Sequence, residues 1–267
     1  MTIMGLLAGI ATVWYVMADG NVLHLLFNKV ALVLVFGGTF SSTLIAYPWE
    51  IIKLIPGSMK RMFVRKKYSD ADRQAVIDNL ATLAEKARRQ NIEGLQMDAL
   101  ASKDKYLAYG LQMVVDGLEH EVLRENLEKR IIMAHKHSQK VTGLFRTMAT
   151  LSPIFGLLGT LIGVVQVLRN LSDPASMGAS MAIAITTTFY GIFAANFLFL
   201  PTAIKLGEYT ENEIMHMRLV AEGVISIRAG DLPMILRKKL NAFIIENAKG
   251  GSAGSTATTA RPAGRAV

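Results

Sequence analysis

The 267-residue chain has no cysteine. Disulfides, thiolate metal centres and thiol catalysis are therefore excluded within it. A second absence is more specific. Four long apolar segments, 1–17, 30–49, 147–168 and 180–204, contain not one Asp or Glu. They build an interior of hydroxyls and bendable backbone that brings no titratable acid of its own. Also missing are a nucleophile–base set, a phosphate loop and metal-ligand spacing, so the chain does not read as an enzyme. His135 and His137 are two apart beside Lys136 and point to different sides of a helix, as solvated residues do. The apolar segments do not alternate in polarity, which excludes barrel strands.

What is present is apolar length. Hydrophobic residues make up 51% of the chain and the mean hydropathy is +0.33, high for a soluble protein. Each segment has the roughly 17–25 residues a helix needs to cross about 30 Å of hydrocarbon. The first has no basic leader and a second apolar segment follows closely, so it is expected to be an uncleaved helix rather than a signal peptide. The formal charge of +8 is not spread as a nucleic-acid surface would spread it. Lys53, Lys60, Arg61, Arg65, Lys66 and Lys67 follow the second segment. Lys136, Lys140 and Arg146 precede the third, Lys205 follows the fourth, and Arg237, Lys238 and Lys239 come later. The short loops 19–29 and 169–179 are nearly free of basic residues. The positive-inside rule then puts both termini and the 51–143 segment in the cytoplasm. Trp14, Tyr15, Tyr47 and Trp49 fall near the expected interfaces.

The expected fold is all-α: a polytopic membrane protein with four transmembrane helices and a helical cytoplasmic domain. Residues 1–50 hold helices one and two with a short periplasmic loop, 51–143 the cytoplasmic domain, and 144–205 helices three and four with a turn around Ser172-Asp173-Pro174. Residues 206–247 form a C-terminal helical segment and 248–267, rich in Gly, Ala, Ser and Thr, a disordered tail. In the cytoplasmic domain Ile77, Leu80, Leu83, Ala84 and Ala87 repeat with helical spacing, with Ser69 or Asp70 as the cap, and so do Leu111, Val114, Val115, Leu118, Val122 and Leu123.

Three groups of residues could carry chemistry. The third helix also holds Gly156, and Gly159-xxx-Gly163 gives it a small face for close approach, for which plain packing is the favoured reading. Pro153 and Pro201 each remove a backbone hydrogen bond in the cytoplasmic half of a helix, which suggests a flexing region. Thr160 lies near the middle of the third helix, and Thr186, Thr187 and Thr188 lie slightly outward of the middle of the fourth. Such threonines either bond their own backbone carbonyls or ring a small cation or water chain with hydroxyl oxygens. Ion conduction commonly uses an intramembrane carboxylate. This chain has none, so a partner helix is expected to supply it.

The run Leu151-Ser-Pro-Ile-Phe-Gly-Leu-Leu-Gly-Thr-Leu-Ile-Gly-Val-Val165 resembles the third helix of the MotA/PomA family of flagellar stator subunits. Met181-Ala-Ile-Ala-Ile-Thr-Thr-Thr-Phe-Tyr-Gly191, with Asn196 and Pro201, resembles its fourth. Gly110-Leu-Gln-Met-Val-Val-Asp-Gly117 and Gly37-Gly38-Thr39 are similar to further family motifs. The resemblance implies five copies of the chain around two copies of a single-span MotB/PomB-type subunit, which supplies the intramembrane aspartate and grips peptidoglycan. Ion flow would turn the ring against the rotor switch protein FliG. It implies an inner-membrane location, contact with membrane lipids, no nucleic acid, and no cofactor other than a transported H+ or Na+. By residue, it implies an ion path along Thr160, Thr187 and Thr188, conformational coupling at Pro153 and Pro201, and rotor contact at Arg88, Arg89 and Asp98. Gln96 stands where a rotor-facing glutamate is expected. The threonines match sodium-type members, whereas Asn28 stands where some of those have an aspartate. Proton coupling, the family's commoner mode, is the favoured expectation. The alternatives are a TolQ/ExbB-like motor energising another envelope system, against which four spans argue, and a non-conducting membrane scaffold.

Overall fold

The computed structural model describes residues 2–19, 28–63, 70–169 and 174–250. It is helical, with no strand among the described residues. In order, the helices are α1 (Thr2–Asp19), α2 (Lys29–Leu32), α3 (Gly38–Ala46), α4 (Trp49–Ile52), α5 (Ile55–Phe63), α6 (Asp70–Gln90), α7 (Gln96–Ala101), α8 (Lys105–Val115), α9 (His120–Arg169), α10 (Pro174–Phe193), α11 (Leu200–Arg228) and α12 (Pro233–Gly250). Wide π turns, Val33–Gly37 and Ala194–Phe199, join α2 to α3 and α10 to α11 without a break. Lys29–Ala46, His120–Arg169 and Met177–Arg228 are long and apolar enough to cross a membrane. The first apolar segment is also helical, as α1.

The chain divides into two compact units, Met1–Lys66 with Ala134–Glu211, and Lys67–Met133 with Asn212–Val267. The first holds all the apolar segments and is called the membrane unit below. It leaves large apolar side chains bare on the helix flanks, including Ile45, Leu157, Leu161, Val165 and Ile185, as a lipid-facing surface does. Its packed cluster contains Ile52, Ile55, Leu144, Phe145, Met148, Phe199 and Leu206. Asn28 caps α2, its side-chain oxygen accepting from the Val30 and Ala31 amides at 2.9 and 3.2 Å.

The second unit has the core of a soluble protein. Ile77, Leu80, Leu83, Ala84 and Ala87 are all buried, as their spacing predicts. The 111–123 run departs from expectation. It is two helices, because α8 stops at a glycine with φ +78°. The Gly117 amide donates to the Val114 carbonyl and the Leu118 amide to Met113. This paired closure satisfies the orphan carbonyls and needs a left-handed residue. Val122 accordingly turns outward while Leu123 is buried. Gly230, at φ +74°, ends α11 in the same way.

The segment edges drawn at 143/144 and 205/206 fall inside α9 and α11, which continue through them. Ser69, Arg65–Lys67, Ser172, Asp173 and residues 251–267 lie outside the described residues, as do the side chains of Lys60, Arg61 and Asp70.

Candidate ion path and coupling site

The site begins with side-chain size. On α9, Ser152, Gly156, Gly159 and Gly163 are spaced at i, i+4, i+7 and i+11, which puts them in one stripe. On α10, Ser180, Ala184, Thr187 and Gly191 have the same spacing. The two stripes face each other. A Cβ on Gly156 would sit 3.0 Å from the Thr187 carbonyl oxygen, one on Gly163 2.6 Å from Ala184 Cβ, and one on Gly191 2.7 Å from the Ser152 carbonyl oxygen. A Cβ on Gly159 would strike the Thr187 side chain. Lipid provides no hydrophobic drive for helices to associate, so close backbone approach and interhelical hydrogen bonds hold this seam. One such bond is present: the buried Ser152 hydroxyl donates to the Gly191 carbonyl at 3.1 Å. Sequence reasoning had missed Ser152 as a clamp. Its register, four residues before Gly156, is the signal that could have found it.

The structure separates the three candidate threonines. Thr187 is fully buried in the seam, its hydroxyl donating to the Ala184 carbonyl at 2.8 Å and lying 3.0 Å from that of Ile183. Thr160 and Thr188 instead share a groove of 710 Å³, together with Val13, Val164, Phe189 and Phe193. Thr160 donates to Leu157 O at 2.6 Å and Thr188 to Ala184 O at 3.4 Å. With their protons turned to their own helices, these hydroxyls present lone pairs. The groove can accept a hydrogen bond or line a cation's path. It has no group that can carry a charge. Phe189, Phe193 and Phe197 stack along its wall, with ring centroids 5.7 and 4.8 Å apart. Their i, i+4, i+8 spacing is readable from the sequence.

Pro153 lies within α9 and its Cα is 3.2 Å from the Cβ position of Gly191, so the helix passes α10 closely at this residue. Pro201 follows the Ala194–Phe199 π turn one residue on, after Leu200. Pro201 has no N–H to offer the preceding turn. Side chains supply bonds nearby: Asn196 Nδ2 donates to Ile192 O at 2.9 Å and Thr202 Oγ1 to Leu198 O at 2.5 Å. The other π turn ends at Gly37, and Gly38 lies against the Phe155 ring of α9, where a Cβ would clash. The Gly37-Gly38-Thr39 motif is thus a close-contact point.

In the second unit, Arg88 is exposed near the end of α6. Arg89 pairs with Glu85 at 2.6 Å on the same helix. Asp98 pairs with Lys86 at 2.6 Å, tying α7 to α6. Gln96 opens α7 and is exposed. A tighter polar site went unnoticed in the sequence. Asp104 caps α8 through Oδ1, accepting from the Tyr106 and Leu107 amides at 2.8 and 3.3 Å, while Oδ2 lies 2.6 Å from His216 Nε2. Burial pushes the Asp104 carboxyl up, but the His216 hydrogen bond, the cap bonds and the His216 charge together hold it below its ordinary value. No local pattern links residues 112 apart, so only the fold could reveal this pair. No cluster of three or more metal-ligating side chains occurs among the described residues.

A mostly apolar, carboxylate-free groove edged by two threonines, in a glycine-packed helical membrane unit, suits a subunit of an ion channel or ion-driven motor. Comparison with known proteins agrees. Residues 98–219 match the MotA/TolQ/ExbB proton channel family, and residues 3–91 match the motility protein A N-terminal family. The chain is 36% identical to motility protein A of Borreliella burgdorferi over 207 residues, 78% of either chain, and 33% identical to that of Treponema phagedenis, over 82% of this chain and 83% of the relative. Its fold is similar to a subunit in the flagellar MotAB stator complex from Bacillus subtilis, with a TM-score of 0.79, 26% identity, and coverage of 92% of this chain and 98% of the other. The chain belongs to the MotA/TolQ/ExbB proton channel family, on its motility protein A branch. It is a flagellar stator subunit of the inner membrane, not an enzyme.

Proposed function

We propose that this chain forms an ion channel with a MotB-type single-span partner and converts ion flow into torque on the flagellar rotor. The observation that carries this reading is the groove at Thr160 and Thr188, a largely apolar wall that includes two threonines and no carboxylate. The partner's aspartate sits against these hydroxyls. A charge there is costly unless polar groups face it. Thr187 holds the wall rather than lining the path, because Gly159 packs on it. Pro153 and Pro201 flank the same helix pair and let it bend as the aspartate is neutralised and recharged. Apolar segments 1–17 and 30–49 complete four spans, with both termini and the second unit in the cytoplasm. Several copies, five by family resemblance, ring the partner. Arg88, Arg89 and Asp98 face the rotor protein FliG. Protons are the favoured ion over sodium.

The test replaces one hydroxyl at a time with an isosteric methyl. Thr160→Val and Thr188→Val complexes should assemble at wild-type levels yet lose most swimming torque. Thr187→Val, which keeps the shape that meets Gly159, should swim close to normally. Wild-type swimming by the Thr160→Val and Thr188→Val strains would reject the ion-path reading. Swimming speed in sodium-free medium, with and without a protonophore, separates the two ions.

A further inference from the structure

We propose that a polar cleft at the basic end of the membrane unit seats a phospholipid headgroup bearing a phosphodiester and a primary ammonium. The proposal rests on the orientation given above, which places this end in the cytoplasmic leaflet. The cleft has a volume of 350 Å³ and is lined by His135, Gln139, Thr142 and Arg146 of α9 and Thr210 and Glu211 of α11. The four α9 residues recur at helical spacing and form one face. Two glycines hollow it. A Cβ on Gly143 would meet only the Tyr47 hydroxyl, at 3.6 Å, and one on Gly207 only Thr142 Cγ2, at 4.0 Å. The depth suits a headgroup. Tyr47 bonds Thr147 at 2.9 Å where the carboxylate-free stretch of α9 begins, and Lys136, Lys140 and Lys205 belong to the same end of these helices.

The donors in the cleft call for an oxygen anion. Gln139 Nε2 lies 2.7 Å from His135 Nε2. An amide nitrogen only donates, so the ring nitrogen accepts and the ring proton sits on Nδ1. That Nδ1 is buried and has no hydrogen-bond partner. A buried donor without an acceptor is costly, and a phosphate oxygen would satisfy it. Arg146 adds a planar fork of donors suited to phosphate, and the Thr142 hydroxyl adds another; the Thr210 hydroxyl already donates to the Leu206 carbonyl at 2.8 Å. Glu211 decides the headgroup. A carboxylate beside a phosphate site repels a purely anionic ligand and favours one that also carries an ammonium with N–H donors. This points to an ethanolamine phosphodiester rather than choline, which has no N–H, or glycerol, which has no charge.

The test uses the assembled stator complex in bilayers of equal phosphatidylethanolamine, phosphatidylcholine and phosphatidylglycerol, with retained lipid counted by native mass spectrometry. Phosphatidylethanolamine should be enriched several-fold over both others. Arg146→Ala should abolish the enrichment, Arg146→Lys should keep part of it, and Glu211→Gln should bring phosphatidylethanolamine down to the phosphatidylglycerol level. Equal retention of the three lipids, or an enrichment that both Arg146→Ala and Glu211→Gln leave intact, overturns the proposal. So does displacement of the lipid by inorganic phosphate at millimolar concentration, which would mark a free-anion site. Because the chain has no cysteine, a single Lys140→Cys reports sidedness to an impermeant maleimide. Labelling from the periplasmic side overturns the orientation and with it this site. Labelling from the cytoplasmic side without lipid preference overturns the headgroup site alone.

Discussion

The seam of the membrane unit and the core of the second unit bury helices with opposite materials. In the seam, Gly156, Gly159, Gly163 and Gly191 bring backbones to the point where one added carbon meets a carbonyl or a side chain. In the second unit, Leu80, Leu111, Leu123, Leu127, Leu219 and Leu236 fill the interior with bulk. The difference follows from the solvent. Water rewards the burial of large apolar side chains. Lipid does not, so what holds membrane helices together is contact distance and hydrogen bonding. The two styles meet in the second unit where Gly223 packs on Leu80, with a Cβ position 2.6 Å from Leu80 Cδ1. There the neighbour is the end of a flexible side chain, whereas Gly191 faces the Ser152 backbone.

Three substitutions, two of them paired with a second change, would break or sharpen that contrast. Leu80→Ala should have the largest effect. It opens a cavity in a fully buried core and should cost about 2–5 kcal/mol, read as a fall in the thermal midpoint of the purified complex. Adding Gly223→Ala should recover part of the loss, since the new methyl enters the space Leu80 leaves. Next comes Gly191→Ala. Its methyl has no side chain to displace, and overpacking of this kind costs about 1–3 kcal/mol. Assembly with the partner should fall, and truncating Ser152 to Ala should not rescue it, because the obstacle is the Ser152 carbonyl. Recovery on Ser152→Ala would show that the hydroxyl, not the backbone, sets the approach. The smallest effect is expected for Asp104→Asn. Asn still caps α8 but loses the charge-assisted bond to His216, a loss of about 1–3 kcal/mol at most. The folded Asp104 carboxyl has a lowered pKa, so its contribution is fully present above the unfolded value of about 3.9 and disappears as pH falls through the folded value. Wild-type and Asp104→Asn midpoints should therefore converge only in acid, below about pH 4. A gap that stayed constant down to pH 2 would remove the carboxylate from the account.

The features readable in advance were those set by period and composition. Ile77 through Ala87 share a face because 3.6 residues make a turn, and all are buried. The glycines of α9 were recognisable as a packing face for the same reason. The break at Gly117 was harder, since glycine within a helical pattern is tolerated and only the closing bonds to Met113 and Val114 show that the chain turns there. The Asp104–His216 pair and the His135 cleft join residues far apart in sequence, and no local rule reaches that far.

By itself the sequence determined that this protein has apolar segments without an acid and that small residues and threonines repeat along two of them. These follow from residue type and from spacing along one helix. The tertiary structure alone decided what each hydroxyl faces. Thr187 and Thr188 are neighbours in the chain but point about 100° apart on the helix. The position of α9 sends Thr187 into the seam against Gly159 and leaves Thr188 in the groove with Thr160. Helical period fixes which residues share a face, and only packing fixes what each face meets.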